Sequence, residues 1–471
     1  MTSMDLDVAI IGAGPAGLRS AYELRNSGLR VKVFERMPYV GGRTLTRRIA
    51  GEDVNMGAMF VYVGTESDKI CRELGIDTLP LSPATFGVNA AGRTVIARDD
   101  KELVTGLALP ADAAADLHRV LAAVRSEYET YVTSGDLSAE SKNLAHETLS
   151  EHLGPMHPIV ERIVRNAVRG GSTADPDVLS AQYALRYFAS YVVHAAGHRV
   201  YIPGGMQQIS IRLSEHLQPG TLELNASVNR VDRLGDGRYA LRVAMPGRQE
   251  VTVTASHVVF AVPGPGVGEL AAWLPDWKLR AIEKVPTSPT VMLGIVLDSA
   301  GKDDWDDIFL ITAADAPFNT VLQPRACREF AASKRGRTHF CCYLSADAEA
   351  AEPGDDDAMT QEWLEAFFQI LPDARGRVLG TGVARWPRCF SYPAPGREDV
   401  LDDLQAPIGG AHFAGDFTSA TAGSHGALGE GARTAVEILQ SAAAGSRYQF
   451  AGTHDDSQER NRLSSSGAAI G

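Results

Sequence analysis

One short segment narrows the fold more than any other. Asp7–Ile11 is a run rich in β-branched residues, and Gly12-Ala13-Gly14-Pro15-Ala16-Gly17 follows it at once. A helical pattern then runs from Ala16 to Ser27 and closes at Gly28, and Val31–Phe34 reads as a second strand. Glycines at this spacing, between a strand and a helix, have a physical logic. Gly12 makes the tight turn, Gly14 lets backbone approach a pyrophosphate, and Gly17 lets the helix pack on the strand. The helix N-terminus, with Pro15 and Ala16 in its first turn, offers its positive dipole end to phosphate. Glu35 ends the second strand, where a carboxylate suits a ribose with free hydroxyls, and Arg36 stands beside it. A tight glycine turn in another kind of α/β protein is the bland alternative. The strand, the helix and Glu35 together favour the dinucleotide.

The rest of the chain sets the frame. At 471 residues, 44% of them hydrophobic, it is long enough for two domains with a large core. A net charge of −13 makes nucleic acid an unlikely partner and leaves no basic patch for anionic lipid. No stretch approaches the roughly 20 apolar residues of a membrane helix. The N-terminal apolar run lacks a basic leader and is cut by glycines, so it reads as a strand rather than a signal peptide. The five cysteines do not suggest a disulfide framework, and Cys341 and Cys342 are expected on opposite faces of one strand. A cytoplasmic home is expected.

Strands are predicted at Leu222–Val228, Tyr239–Ala244, His257–Val262, Thr290–Leu297, Ile308–Thr312, His339–Leu344 and Ala411–Ala414. Helices are predicted at Ala111–Val132 and Met359–Leu371, with more between the 140s and 190s broken near Gly170-Gly171, and a last one to Leu439. The acidic run Glu352–Asp357 reads as a solvated loop, and the tail after Ser441 as disordered.

Two further motifs carry chemistry. Gly41-Gly42-Arg43-Thr44 combines close backbone approach with a cationic fork for phosphate. Phe413-Ala414-Gly415-Asp416, followed by Gly426-Ala427 at a helix start, makes a second polar cradle for the other half of a long dinucleotide. His194 and His198 are four apart, but Gly197 weakens the helix and no third ligand is evident, so no metal is expected.

These segments, with Asn55–Phe60 (NMGAMF), Pro203–Ile209 (PGGMQQI), His257–Pro263 (HVVFAVP) and Arg385–Cys389 (RWPRC), resemble the flavin-containing amine oxidase superfamily from Asp7 to about Leu439. That group includes monoamine oxidases, L-amino acid oxidases and protoporphyrinogen oxidases. The resemblance implies an α/β fold, with a glutathione-reductase-type FAD domain built from 1–85, 200–285 and 375–440. A substrate domain of 86–199 and 286–374 would be intertwined with it, and 441–471 would be the tail. It implies FAD, with Glu35 on the adenosine ribose, Gly42, Arg43 and the first glycines near pyrophosphate, and Val228 as a backbone contact to adenine. Gly57, Ala58, Met59 and Gly415 would line the cofactor. Asp416, where glutamate is usual, would hold ribityl or phosphate oxygens, and the helix from Gly426 and Ala427 would face the flavin.

The departures bear on chemistry. The lysine that many family oxidases place near flavin N5 is matched by Met292, which neither donates a hydrogen bond nor carries charge. Phe60 stands where many L-amino acid oxidases have a carboxylate-binding arginine. Gly423 replaces an aromatic-cage tyrosine, and His425 replaces the glutamate of E-G-A. Trp386 would wall the active site. Cys389 raises covalent flavin attachment, but its neighbours do not match that pattern.

The implied activity is oxidation of a C–N bond in a small amine or amino-acid-like substrate. A hydride passes to flavin N5, an imine leaves, and O2 accepts the electrons. An L-amino acid oxidase, a desaturase, a monooxygenase and a non-redox binding protein of the Rab-escort type are the alternatives. The sequence leaves the oligomeric state open, a homodimer included.

Overall fold

The computed structural model describes residues 4–81, 85–134, 144–185, 199–299, 303–324 and 336–445. The second half of the first strand, Val8–Ile11 of Met4–Ile11, is apolar and buried, as suits a strand in the middle of a sheet. It pairs in parallel with Val31–Phe34 on one side and with Val251–Phe260 on the other. Leu222–Glu223 extends the sheet beyond the second strand. Val251–Phe260 is long enough to serve two neighbours. Its first half pairs antiparallel with Tyr239–Ala244, and its end pairs in parallel with Ala411–Phe413. Ser227–Arg233 completes this seven-stranded sheet.

A second seven-stranded sheet runs, in spatial order, Val378–Ser391, Thr287–Asp298, Arg337–Ser345, Thr320–Leu322, Ile308–Ala313, Thr85–Ala90 and Arg93–Ala97. Cys341 and Cys342 point to opposite faces of it, one into the cluster with Met292 and Phe309, the other into the cluster with Trp363 and Phe367. Helices Ala111–Ser134, Leu149–Leu153 and Pro158–Ser172 pack a separate apolar cluster beside it.

Several expectations shift. The first helix spans Pro15–Leu24, with Gly28 three residues past the Arg25 C-cap at φ 79°. The predicted strand Leu222–Val228 is two strands, divided by Asn225 at φ 54°. The helical pattern is interrupted as expected around Gly170 and Gly171, which lie in the last turn of Pro158–Ser172 before the Thr173 C-cap at φ 57°. A Cβ on Gly170 would sit 2.1 Å from Thr320 Oγ1, so the glycine answers to close packing on a strand. In the acidic run, Asp355 caps a helix by accepting from the Asp357 and Ala358 amides. Thr46–Ile49 and Glu52–Asn55 form an antiparallel hairpin that the sequence does not lead one to expect. His194, His198 and the tail beyond 445 lie outside the described residues.

Behind the first sheet, His257 Nδ1 lies 3.2 Å from His412 Nε2, and His412 Nδ1 lies 2.9 Å from Glu437. Burial, and then the charge of His412, push His257 down to about 4. Between pH 6.5 and about 4 the unfolded chain binds a proton that the folded chain does not. Stability therefore falls as pH falls through that window. His257→Gln should flatten this limb of a plot of thermal midpoint against pH; an unchanged slope would show that His257 does not create it.

Candidate active site

The glycine loop is built as its chemistry requires. Gly12 has φ 102°, and a Cβ there would lie 2.6 Å from the Ala261 carbonyl oxygen. A Cβ on Gly17 would lie 2.0 Å from the Gly12 oxygen, so helix and strand touch only because that position is glycine. Gly14 is the helix N-cap, has no side-chain cap, and faces open space. The first amides of the helix are thus left for an external acceptor. Gly41 and Gly42, at φ 106° and 49°, bring a second loop alongside, and a Cβ on Gly42 would be 3.8 Å from Gly14 Cα. Gly41 N–H donates to the Ala13 carbonyl, which fixes the two loops together.

Glu35 is 8% exposed and accepts from the Ala13 amide at 2.8 Å and the Met37 amide at 2.9 Å. Its carboxylate is thereby aimed across the mouth of the glycine loop. Arg36 is exposed beside it. Val228 sits on Ser227–Arg233, at the far edge of the sheet, at a register shift opposite Val243.

Arg43 and Asp416 were expected to reach phosphate or ribityl oxygens separately; the structure pairs them. Arg43 Nη1 and Nη2 meet the two Asp416 oxygens at 2.9 and 2.8 Å, and Nη1 also donates to the Cys389 carbonyl. The Ser391 amide donates to Asp416 Oδ2 at 3.0 Å. Burial pushes the Asp416 carboxyl up more than any single neighbour pulls it down, but the Arg43 charge, the Arg43 hydrogen bonds and those of Ser391 together hold it below its ordinary range. The Arg43 carbonyl accepts from the Ala58 amide, and a Cβ on Gly57 would lie 2.0 Å from the same oxygen. One residue therefore fixes both Asp416 and the Gly57–Met59 segment.

Trp386 donates from Nε1 to the Met56 carbonyl at 2.6 Å. It lies on Val378–Ser391, whose ladder with Thr287–Asp298 shifts register between Ser288 and Thr290, near Pro289. Prolines and bulges interrupt pairing and re-aim side chains. Here the shift lets Trp386 face Met56 while the Cys389 and Ser391 backbone reaches Arg43 and Asp416. Met292 is 3% exposed, opposite Ala384 and Tyr343. Phe60, Met59, Met292, Trp386, Phe309 and Tyr343 share one apolar cluster. Three of the four proposed catalytic positions thus converge.

His425 stands apart from them, edge-on to Tyr62 with ring centroids 5.7 Å apart. Burial holds its imidazole below the usual range. It lies in the first turn of Ser424–Gly445, ahead of the expected start at Gly426. A Cβ on Gly426 would meet the Thr421 carbonyl at 1.8 Å. This helix packs on the first one, with Ser20 Oγ donating to the Gly431 carbonyl. The Gly415 amide donates a hydrogen bond to Thr418 Oγ1, and Ala427 is buried in the cluster of the first helix.

Asn55 and Gln207 also serve the site, although their motifs alone assign neither a role. Asn55 Oδ1 accepts from the Met206 amide and Thr46 Oγ1, while Nδ2 donates to the Met59 carbonyl. Gln207 joins Val40 to Thr46. Both hold the Gly41–Arg43 and Gly57–Met59 segments in place. Among the described residues no His, Cys, Asp or Glu cluster suits a metal, and no helix is long and apolar enough to cross a membrane.

The cradle fits a long dinucleotide. Two glycine loops converge with an uncapped helix start, a carboxylate lies at one end, and a second helix N-terminus lies beyond Asp416. Comparison with known proteins agrees. AofH of Mycobacterium tuberculosis, assigned to the flavin-containing monoamine oxidases, is 32% identical over 285 residues, 55% of this chain and 57% of that protein. The chain thus spans little more than half the length of this relative. Polyamine oxidase 1 of Oryza sativa is 25% identical over 92% of this chain and 97% of that protein. Cyclohexylamine oxidase from Brevibacterium oxydans superposes with a TM-score of 0.72 at 19% identity, covering 93% of this chain and all of that one. Residues 15–439 match the model of the flavin-containing amine oxidoreductases. The chain belongs to that family, and FAD is its cofactor.

Proposed function

We propose that this protein oxidises the C–N bond of a small amine with an apolar body, with O2 as electron acceptor and FAD held without a covalent bond. The observation that carries the reading is the convergence of Phe60, Met292 and Trp386 in one apolar wall against the Met56–Met59 segment of the cradle. FAD, when bound, accepts the hydride equivalent from the substrate α-carbon. The chain does the rest. Apolar walls favour the uncharged amine, because burial disfavours an ammonium ion. His425, edge-on to Tyr62 and favoured as the neutral imidazole by its burial, is the proton acceptor of this reading. The Arg43–Asp416 pair, Glu35 and the glycine loops position the cofactor. Segments 1–85, 200–285 and 375–440 would form the cofactor side, and 86–199 and 286–374 the substrate side. Strand Val378–Ser391 is shared between them, pairing in the second sheet while its end reaches Asp416. Free cysteines at 71, 341, 342 and 389 accord with a cytoplasmic home.

One observation favours a second reading. Arg199 is 2% exposed and packs over the Tyr62 and Phe309 rings at 5.4 and 5.8 Å. An amino-acid substrate would need such a cation for its carboxylate, since Phe60 supplies none. Anaerobic mixing with matched pairs of apolar amines and their α-carboxylated counterparts separates the two. Faster flavin bleaching by the amines is expected. Faster bleaching by the amino acids would favour the second reading, and no bleaching by any amine would defeat the first.

Two predictions concern the cofactor. Burial raises the Cys389 thiol, which keeps it protonated and a poor nucleophile. Acid precipitation should therefore leave yellow flavin in the supernatant, and flavin in the pellet would refute non-covalent binding. Glu35→Ala should weaken FAD binding about tenfold or more, since a hydrogen bond to a charged acceptor contributes ~1.5–3 kcal/mol. Titration of apoprotein with FAD measures this, and an unchanged affinity would place the ribose elsewhere.

A further inference from the structure

The loop that carries Asp416 has its backbone carbonyls held by side chains. Arg433 Nη2 donates to the Phe413 carbonyl at 2.6 Å. Arg397 Nη2 donates to the carbonyls of Asp416 at 3.0 Å, Phe417 at 3.4 Å and Ser419. Gln405 Nε2 donates to the Thr418 carbonyl at 3.1 Å. Arg397 and Gln405 belong to one continuous segment. It leaves a turn at Gly396, φ 74°, and runs through the short 3-10 turn Arg397–Val400 into the helix Leu401–Gln405. Lys278, wholly buried, fixes the end of that helix by donating to the Asp403, Leu404 and Ala406 carbonyls at 2.5, 2.9 and 2.8 Å. Arg397 is itself buried, and the carboxylates of Asp416, Glu398 and Glu430 act on its charge. Its distinctive contribution is geometric: one end of a planar fork reaches three backbone oxygens.

Direction on the carbonyl side fixes direction on the amide side. The C=O and N–H of one trans peptide point opposite ways. With the Asp416 carbonyl turned to Arg397 and the Thr418 carbonyl to Gln405, the Phe417 and Ser419 amides point away from those side chains. Neither amide donates to a protein group among the described residues, although both residues are buried. Buried amides are nearly always paired. Two in one loop therefore mark a place for an outside acceptor, and backbone amides gathered in a turn suit anionic oxygens. The Asp416 side chain bonds Arg43 of the cradle, so that acceptor is the cofactor. We infer that Arg397 is a positioning residue for FAD. With Gln405 it holds the carbonyl side of the loop and so presents the Phe417 and Ser419 amides to the phosphate and ribityl part of the cofactor. The inference rests on the reading that places the adenosine end at Glu35.

The test compares FAD with AMP, which carries the adenosine end alone. The full chain stripped of flavin is titrated with FAD by fluorescence, and AMP is measured by its competition. Arg397→Met removes the donors at similar bulk. It should weaken FAD about tenfold or more, because buried carbonyls lose their only side-chain donor, and it should leave AMP unchanged. Gln405→Leu should act in the same sense, by about threefold. Arg397→Lys keeps the charge without the fork and should resemble Arg397→Met. General damage to the fold would weaken both ligands alike. Should Arg397→Met fail to fold, Gln405→Leu decides by the same comparison. FAD affinity unchanged in the folded variants overturns the inference, as does an equal loss for AMP or full FAD affinity in Arg397→Lys. Glu35→Ala is the control and should weaken AMP as well as FAD. AMP binding untouched in that variant would overturn the assignment of the two ends, and the inference with it.

Discussion

Asp416→Ala is expected to purify largely free of flavin, with an affinity for FAD at least a hundredfold weaker than that of the wild type. The side chain is 4% exposed and pairs with Arg43 at 2.8 Å. Its loss leaves the Arg43 cation and the Ser391 amide without their acceptor. Breaking a buried pair by removing one partner costs about 3–5 kcal/mol, most of it from the charge left behind. A hundredfold is about 2.8 kcal/mol, so the estimate is on the conservative side. Arg43 also carries the Gly57–Met59 segment through its carbonyl, so disorder should spread toward the apolar wall. Asp416→Asn keeps the shape and one acceptor oxygen and should lose less. The double variant with Arg43→Ala tests the cause. If the two changes together cost much less than their sum, the pair acts as a unit. Full additivity, or FAD affinity unchanged in Asp416→Ala, would show that the pair does not govern the cofactor.

What the sequence reveals about this pair has a clear physical limit. The glycines at 12, 14 and 17 are legible because each answers to a local constraint: a positive φ, an approach to backbone, or a turn between strand and helix. Glu35 is legible because its place at the end of a strand fixes its direction. Arg43 and Asp416 are each legible as charged residues in glycine-rich motifs. Their pairing is not, because 373 residues separate them and only the folded sheets bring them together. Trp386 and Met56 are 330 apart and join in the same way. Gly170 does mark the end of a helix, but the cause is hidden from the sequence. A glycine pair looks like a helix break, yet the reason for it is a threonine on a distant strand. The burial of Arg397 against the Asp416–Ser419 backbone has no sequence signal at all, since a lone arginine after Pro-Gly is ordinarily a surface residue. Its meaning depends on burial, which no local pattern reports.

Met292→Lys is expected to destabilise the protein and to accelerate flavin reoxidation by O2, and the two effects have one cause. Met292 is 3% exposed between Ala384 and Tyr343, within the cluster that holds Phe60 and Trp386. An ammonium placed there loses its hydration among the apolar side chains of that cluster. A cost on the order of 3 kcal/mol should appear as a lower thermal midpoint. The same burial should lower the lysine pKa from ~10.4, by as much as ~3–5 units if the site stays dry. Below that pKa the side chain is a cation beside the cofactor cradle, and a fixed positive charge stabilises negative charge that develops on oxygen. Reoxidation should then be faster by about tenfold or more, which requires only ~1.4 kcal/mol. Above that pKa the gain should vanish, whereas the wild type should show no such titration at this position. Reduction of the flavin by an apolar amine should change less, since the substrate reacts uncharged. Stopped-flow reoxidation of photoreduced enzyme, followed across pH, measures all of this. A folded, flavin-loaded variant with no gain at any pH would place the oxygen reaction away from Met292, and the wall of Phe60, Met292 and Trp386 would then lose its claim to be the substrate site.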